Sequence, residues 1–134
     1  MAAVAKAKNV AVFGAPAASE FISITYDFSV DAGATGALDL FTAKHAMAIK
    51  FAAMRIVTTC TSGGSATVSV GKSGDTTGLI AATAVASLTA GNYILGAATV
   101  DASMVVAADG KVQMEIGTAA LTAGKIDFIF EIVK

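Results

Sequence analysis

Apolar and polar residues alternate with a period of two along much of this chain, and that pattern most constrains its fold. The clearest run covers residues 21–30, whose large apolar residues would share one face of a strand: Ile22, Ile24, Tyr26, Phe28 and Val30. A second run covers residues 126–133, where Ile126, Phe128, Phe130 and Ile132 would face one way and Asp127, Ile129, Glu131 and Val133 the other. These are the first and last strong patterns, which predicts that the two strands pair centrally in a sheet.

Residues 55–72 predict a β-hairpin. β-Branched residues cluster on both sides of Gly63-Gly64, and the glycine pair offers the positive-φ freedom of a tight reversal. On the second arm Ala66, Val68 and Val70 alternate with small hydroxyl residues. One face of this hairpin is therefore expected to be buried.

Further short strands are predicted between glycine-rich turns, at residues 37–41, 79–82, 93–95, 101–106 and 111–116. Residues 42–54 fit both a helical and an extended pattern, and their strand-rich surroundings favour an extended or irregular path. The sequence Leu-Thr-Ala-Gly occurs at residues 88–91 and again at 121–124, which predicts the same turn used twice before a strand. Together these patterns predict an all-β fold, a single β-sandwich of jelly-roll type with about eight short strands.

The composition limits the partners of this chain. Only 14% of the residues are charged, against about 25% in ordinary soluble domains, so we expect partner subunits to cover much of the surface. The nine basic residues are scattered and the formal net charge is −1, which argues against nucleic acid. No apolar run approaches the roughly 18 residues of a membrane span, which argues against a membrane protein.

No motif in the sequence indicates catalysis or a bound cofactor, and we predict no enzyme, no cofactor and no metal. Cys60 is the single cysteine and is expected to be a buried thiol. His45 stands alone, without a second ligand or a catalytic partner nearby. Gly71-Lys72-Ser73 imitates part of a phosphate-binding loop, but the first glycine of that motif is replaced by Ala66. Asp75 supplies one carboxylate, too few for calcium.

Residues 1–19 are predicted to form an N-terminal arm, and residues 20–134 the sandwich. The arm carries apolar residues that would gain from burial, together with two lysines, and its candidate contacts with a neighbouring subunit or another partner are Val4, Lys6, Lys8, Val10, Val12 and Phe13. A frayed terminus or a first strand of the sandwich are equally open alternatives. The apolar stretch is short for a secretion signal, so we expect it to be retained.

Three segments resemble small structural proteins of tailed bacteriophages that act as head cement or decoration proteins. They are Tyr26–Ala34 (YDFSVDAGA), Ser65–Gly71 (SATVSVG) and Ala120–Ile126 (ALTAGKI), and the likeness extends over residues 20–134. The resemblance implies a jelly-roll-like subunit bound in many copies to the outside of a capsid, often as a homotrimer. It brings no catalytic residues.

Two functions remain under consideration. The first is a virion cement or decoration subunit, assembled in the host cytoplasm, that binds the major capsid protein and copies of itself. The alternative is a carbohydrate- or receptor-binding β-sandwich at the virion surface. Such sites usually present flat aromatic rings, whereas this chain has no tryptophan and only Tyr26 and Tyr93, and Tyr26 is expected in the core.

Overall fold

A computed structural model describes residues 19–96 and 104–133. Within those ranges the chain forms nine strands, one helical turn and one 3-10 turn: β1 (Ser19–Asp27), α1 (Phe28–Asp31), β2 (Gly36–Thr42), β3 (Met47–Ser62), β4 (Thr67–Lys72), β5 (Asp75–Ala84), a 3-10 turn (Val85–Ser87), β6 (Tyr93–Leu95), β7 (Val105–Val106), β8 (Lys111–Gly117) and β9 (Leu121–Val133). The expected extended path within residues 42–54 is confirmed, because β3 begins at Met47. Residues 101–103 of one predicted strand lie outside the described ranges, as does the whole of the predicted arm up to residue 18.

The strands form two antiparallel sheets that pack face to face. One sheet has the order β1-β9-β3-β6, with β7 also pairing with β3, and the other has the order β2-β8-β4-β5. Apart from the two-residue β7, this is the strand order of a jelly roll, in which two Greek keys fold over one core. The predicted all-β sandwich of jelly-roll type is confirmed.

The core lies between the sheets and is filled by the inward-facing positions of each strand. From β9 these are Ile126, Phe128 and Phe130, and β8 contributes Met114 and Ile116 from the opposite sheet. The ring of Phe41 meets that of Phe130 edge to face, with centroids 5.4 Å apart. Alternation along β8 and β9 therefore places every second residue in the core.

The predicted hairpin at residues 55–72 is wrong. Its two arms are β3 and β4, which belong to different sheets and pair with other strands: β3 with β9, β4 with β8 and β5. The Gly63-Gly64 link therefore carries the chain from one sheet to the other. The true hairpin is β4–β5, where Lys72 pairs with Asp75 across the two-residue turn Ser73-Gly74, and Gly74 has a φ of 90°.

The first strand ends earlier than its alternation predicts. Ser29 donates to the Asp27 carboxylate through both its amide, at 3.0 Å, and its hydroxyl, at 2.7 Å, which caps the helical turn α1. Local side-chain bonds of this kind compete with strand pairing, so Val30 turns out to solvent. β1 pairs with β9 as predicted, but only β9 is central, since β1 lies at the edge of its sheet among the described strands.

The repeated Leu-Thr-Ala-Gly segments lie on opposite sides of the same part of β3. The first copy is a turn, with Gly91 at a φ of 90° and its amide donating to Ile56. The second lies inside β9, where Gly124 has a φ of 141° and an added Cβ would stand 2.5 Å from the Cys60 sulfur. The prediction that both copies form the same turn is wrong, because β9 starts at Leu121.

Candidate functional site

The register of the five-stranded sheet defines which side chains point away from the core. Residues directly opposite each other in an antiparallel ladder share a face, and Phe128, Phe130 and Ile132 of β9 face inward. Four rows across the sheet therefore face outward: Val133–Ala48–Val105, Phe21–Glu131–Phe51, Ser23–Ile129–Ala53–Leu95 and Thr25–Asp127–Arg55–Tyr93. We call these four rows the apolar outer face.

Large apolar side chains are concentrated on this face. Among the described residues six large hydrophobic side chains are exposed, and all but Val30 lie in these rows: Phe21, Phe51, Tyr93, Leu95 and Val105. Phe21 is 66% exposed and Leu95 63%. Single exposed apolar residues are common on proteins, whereas a contiguous group marks an interaction surface.

Small residues form the floor between the larger ones. Ala53 is only 2% exposed although it faces away from the core cluster, and its row neighbours are Ile129 and Leu95. A small residue ringed by larger ones gives the surface relief into which a partner side chain can pack.

A hydrogen-bonded polar group is built into the face. The hydroxyl of Thr25 donates to the Asp127 carboxylate at 2.7 Å, and an Arg55 nitrogen lies 3.9 Å from the other carboxylate oxygen. Asp127 is mostly shielded, while half of the Arg55 side chain is open to solvent. Together with Glu131 and Ser23 of the same rows, this pair adds polar groups that can orient a partner on a mainly apolar surface.

The outer face of the four-stranded sheet is different. Its outward rows include Ala37–Glu115–Ser69 and Asp39–Gln113–Gly71, which we call the polar outer face. Asp39 accepts hydrogen bonds from Gln113 at 2.7 Å and from Lys111 at 3.2 Å. The bond from Gln113, followed by that from Lys111, lowers the pKa of Asp39 below its ordinary value.

A cleft opens at the edge of the sandwich between β1 and β2. Its volume is about 320 Å³, and it is lined by apolar side chains at the bottom and polar ones at the rim: Ile22, Phe41, Met47, Ile132, Glu20, Thr42, Lys44 and His45. Within the part of the chain that the structure describes, both strands lie at the ends of their sheets. The predicted lone histidine, His45, is thus an exposed rim residue.

The structure places the other singled-out residues in structural roles. Cys60 is buried, and desolvation raises the pKa of its thiol to about 11, which disfavours the reactive thiolate. Tyr26 is buried and donates from its hydroxyl to the Ala32 carbonyl at 2.7 Å. Burial is the main cause that raises the Tyr26 pKa to about 12. A buried Tyr26 cannot act as a stacking platform for sugars.

Neither a metal centre nor a membrane-spanning helix is present in the described ranges. No three His, Cys, Asp or Glu side chains come together there as metal ligands, and no helix of residues 19–96 and 104–133 is both long and apolar enough to cross a bilayer. The arm residues Val4, Lys6, Lys8, Val10, Val12 and Phe13 lie outside the described residues.

Searches with protein-family models and against curated proteins gave no match. Solved structures do match. A chain of the acidic stable capsid structure of Helicobacter pylori bacteriophage KHP30 has a TM-score of 0.60 and 13% identity, over 87% of either chain. A chain of the cyanophage Pam1 capsid asymmetric unit has a TM-score of 0.62 and 12% identity, over 90% of this chain and 87% of that one.

The capsid of Ralstonia phage GP4 provides a further match, with a TM-score of 0.59, 18% identity and coverage of 86% of this chain and 84% of that chain. The shared feature is the fold. At such low identity the sequences differ at most positions, so the likeness lies in the path of the backbone through nearly the whole sandwich.

Sequence reasoning missed the apolar outer face. Its exposed side chains come from strands far apart in the chain, and only strand register brings them together. One signal was present in β9, where Ile129 and Val133 are apolar on the side that should have faced water. Apolar residues on both faces of a central strand indicate that both faces of its sheet are covered.

Proposed function

We propose that this chain is a virion structural protein of a tailed bacteriophage. It acts as a cement or decoration subunit that binds the outside of the head lattice and stabilises contacts between major capsid proteins. The subunit has no enzymatic role, and it joins the particle in the host cytoplasm. The observation that carries the proposal is the apolar outer face on a sandwich whose fold recurs in chains of phage capsid structures.

The apolar outer face is the proposed contact with the lattice. Fully burying a side chain the size of Phe21 or Leu95 contributes about 1.5–3 kcal/mol, and the exposed side chains of this face lie together on one broad surface. Arg55 and Asp127 in the same face would orient the subunit, because charged groups at an interface select the partner and the register.

Repetition of the binding site over the shell would strengthen attachment. A symmetric shell presents the same site many times, and subunits that also contact each other dissociate far more slowly than single ones. We propose a homotrimer as the bound unit, as the resemblance to decoration proteins implies. The N-terminal arm, with Val10, Val12 and Phe13, would add contacts to a neighbouring subunit.

The direct test is binding to expanded capsids that lack this subunit. We expect the double substitution Phe21→Ser and Leu95→Ser to weaken binding at least tenfold, measured by cosedimentation over a range of concentrations. Val30→Ser is the matched control, because Val30 is 80% exposed but lies outside the face, and its binding should be unchanged. Equal binding by the double variant and the wild type would exclude the apolar outer face as the contact.

The arm and the trimer need separate measurements. Substituting Val10, Val12 and Phe13 with serine in the full chain should reduce occupancy on the capsid, and undiminished occupancy would remove the arm from the mechanism. Imaging of the decorated particle should show three copies around one axis. Selective binding to a glycan array would instead favour the receptor-binding alternative.

A further inference from the structure

The cleft between β1 and β2 is a preformed pocket at the open side of the sandwich. Ile132 at its base is buried, and Ile22, Phe41 and Met47 are half-buried side chains that pack against the core. The rim is polar, with Thr42 and His45 exposed. An apolar bottom with a polar rim fits a short apolar peptide segment whose backbone stays near the surface.

The position of the cleft points to one occupant, the segment of this chain that precedes β1. β1 begins at Ser19, and the next residue, Glu20, already lines the cleft. Eighteen residues come before Ser19, and the most apolar run among them is Val10–Phe13. The five residues that join this run to Ser19 could span at most about 18 Å, and they include Gly14 and Pro16, residues that favour a reversal.

The edge of the sheet offers a place for such a segment to lie. In the described part of the chain β1 pairs with β9 and lies at the end of the five-stranded sheet. A segment that reverses after Phe13 and runs antiparallel to β1 would continue the sheet by one strand, with alternate side chains directed towards the cleft. A short flexible tether of this kind holds its segment at an effective concentration of the order of millimolar.

We propose that, on the isolated subunit, Val10–Phe13 of the same chain lie extended along β1 and insert alternate apolar side chains into the β1–β2 cleft. The cleft is thus the binding site of the arm on the isolated subunit. The bound segment covers apolar side chains of the cleft that would otherwise face water. This inference concerns the subunit alone and stands or falls independently of capsid binding.

Disulfide trapping in the full chain tests the proposal. In a Cys60→Ala background, His45→Cys is combined in turn with Val10→Cys, Ala11→Cys, Val12→Cys or Phe13→Cys. We expect an intrachain disulfide, visible as a faster-migrating monomer on a non-reducing gel. It should form at least fivefold faster at two alternate positions than at the two between them, because only alternate side chains of an extended segment point towards the cleft.

Ala82→Cys replaces His45→Cys as the matched control, since Ala82 is exposed on β5 at the far edge of the other sheet. The proposal would be overturned if the intrachain disulfide formed no faster than with this control, or if it formed at equal rates at all four positions. Disulfides mainly between chains would also overturn it. The last outcome would mean that a second copy supplies the segment.

Hydrogen exchange gives a second reading without engineered cysteines. Phe13→Asp combined with Val12→Asp should raise the exchange rates of β1 amides at least tenfold and leave those of β5 unchanged. Unaltered exchange in β1 would contradict docking of this segment.

Discussion

The two outer faces of the sandwich differ although they belong to one fold. On the polar outer face Asp39 is held by Lys111 and Gln113, and the hydroxyl of Thr76 donates to the Glu115 carboxylate. On the apolar outer face the side chains open to solvent are mainly large and apolar. Charged groups occur on both faces, so the low charged fraction of the sequence does not indicate which face contacts a partner. The difference supports the proposal that the apolar outer face, and not the polar one, contacts a partner.

The largest losses of stability are expected at one glycine in each sheet where an added Cβ would clash with a neighbouring strand. In the five-stranded sheet Gly124→Ala would place a Cβ 2.5 Å from the Cys60 sulfur at a φ of 141°, and in the four-stranded sheet Gly71→Ala would place one 2.0 Å from the Asp75 carbonyl oxygen. Each should lower the free energy of unfolding by about 3 kcal/mol or more, measured by urea denaturation. Gly63→Ala meets no neighbour within 4 Å and should change it by less than about 0.5 kcal/mol. A Gly124→Ala variant as stable as this control would contradict the close approach of Gly124 to Cys60.

The orientation of the two faces can be compared by labelling cysteines on assembled particles. Leu95→Cys on the apolar face and Lys111→Cys on the polar face are both exposed on the free subunit. We expect maleimide labelling of the first to slow at least tenfold on the particle, while the second labels as on the free subunit. Protection of the second alone would reverse the assignment. The wild-type chain is the background control, because its buried Cys60 has a raised thiol pKa.

A smaller effect concerns the polar group in the apolar face. Thr25→Val removes the 2.7 Å hydrogen bond to Asp127 and should cost about 1 kcal/mol in the free energy of unfolding. Arg55→Ala should cost less than about 0.5 kcal/mol, because the guanidinium is half exposed and lies 3.9 Å away. Urea denaturation of both variants measures the two losses in the free energy of unfolding. A larger loss for Arg55→Ala would show that the ion pair contributes more than the hydrogen bond.

The smallest effect is a pH dependence on the polar face. The bonds from Gln113 and Lys111 lower the pKa of Asp39 in the folded state, so its contribution to stability is present above the ordinary pKa and is lost as the pH falls through the lowered value. Wild type should therefore exceed Asp39→Asn in stability at neutral pH, and the difference should shrink as the pH falls below 3.8. Urea midpoints at a series of pH values measure this, and a difference that grows on acidification would contradict the network.

The sequence predicted the fold class and several strands because alternation is a local property. Residues 111–116 and 126–133 show it clearly, and both are strands with one buried face. The pairing of strands was harder to predict from the sequence. Residues 55–72 have the composition of a hairpin, yet β3 and β4 find partners elsewhere, since burial against β9 and β8 outweighs the local preference.

The candidate site could not be predicted from local patterns. Phe21, Phe51 and Leu95 share a face only because β1, β3 and β6 lie in one sheet with matching register. Cys60 and Tyr26 were correctly expected inside, because their types are often buried and Tyr26 falls on an alternating face. The arm stays a prediction.

Pairing of the first strand with the last has a practical consequence. Ser19 and Val133 are cross-strand partners, so the chain enters and leaves the sandwich at the same corner. A short linker could therefore join these points in a circularly permuted gene. New ends could be opened at the two-residue turn Ser73-Gly74 between β4 and β5, and a peptide displayed there would emerge at a different place from one attached beside Ser19 or Val133.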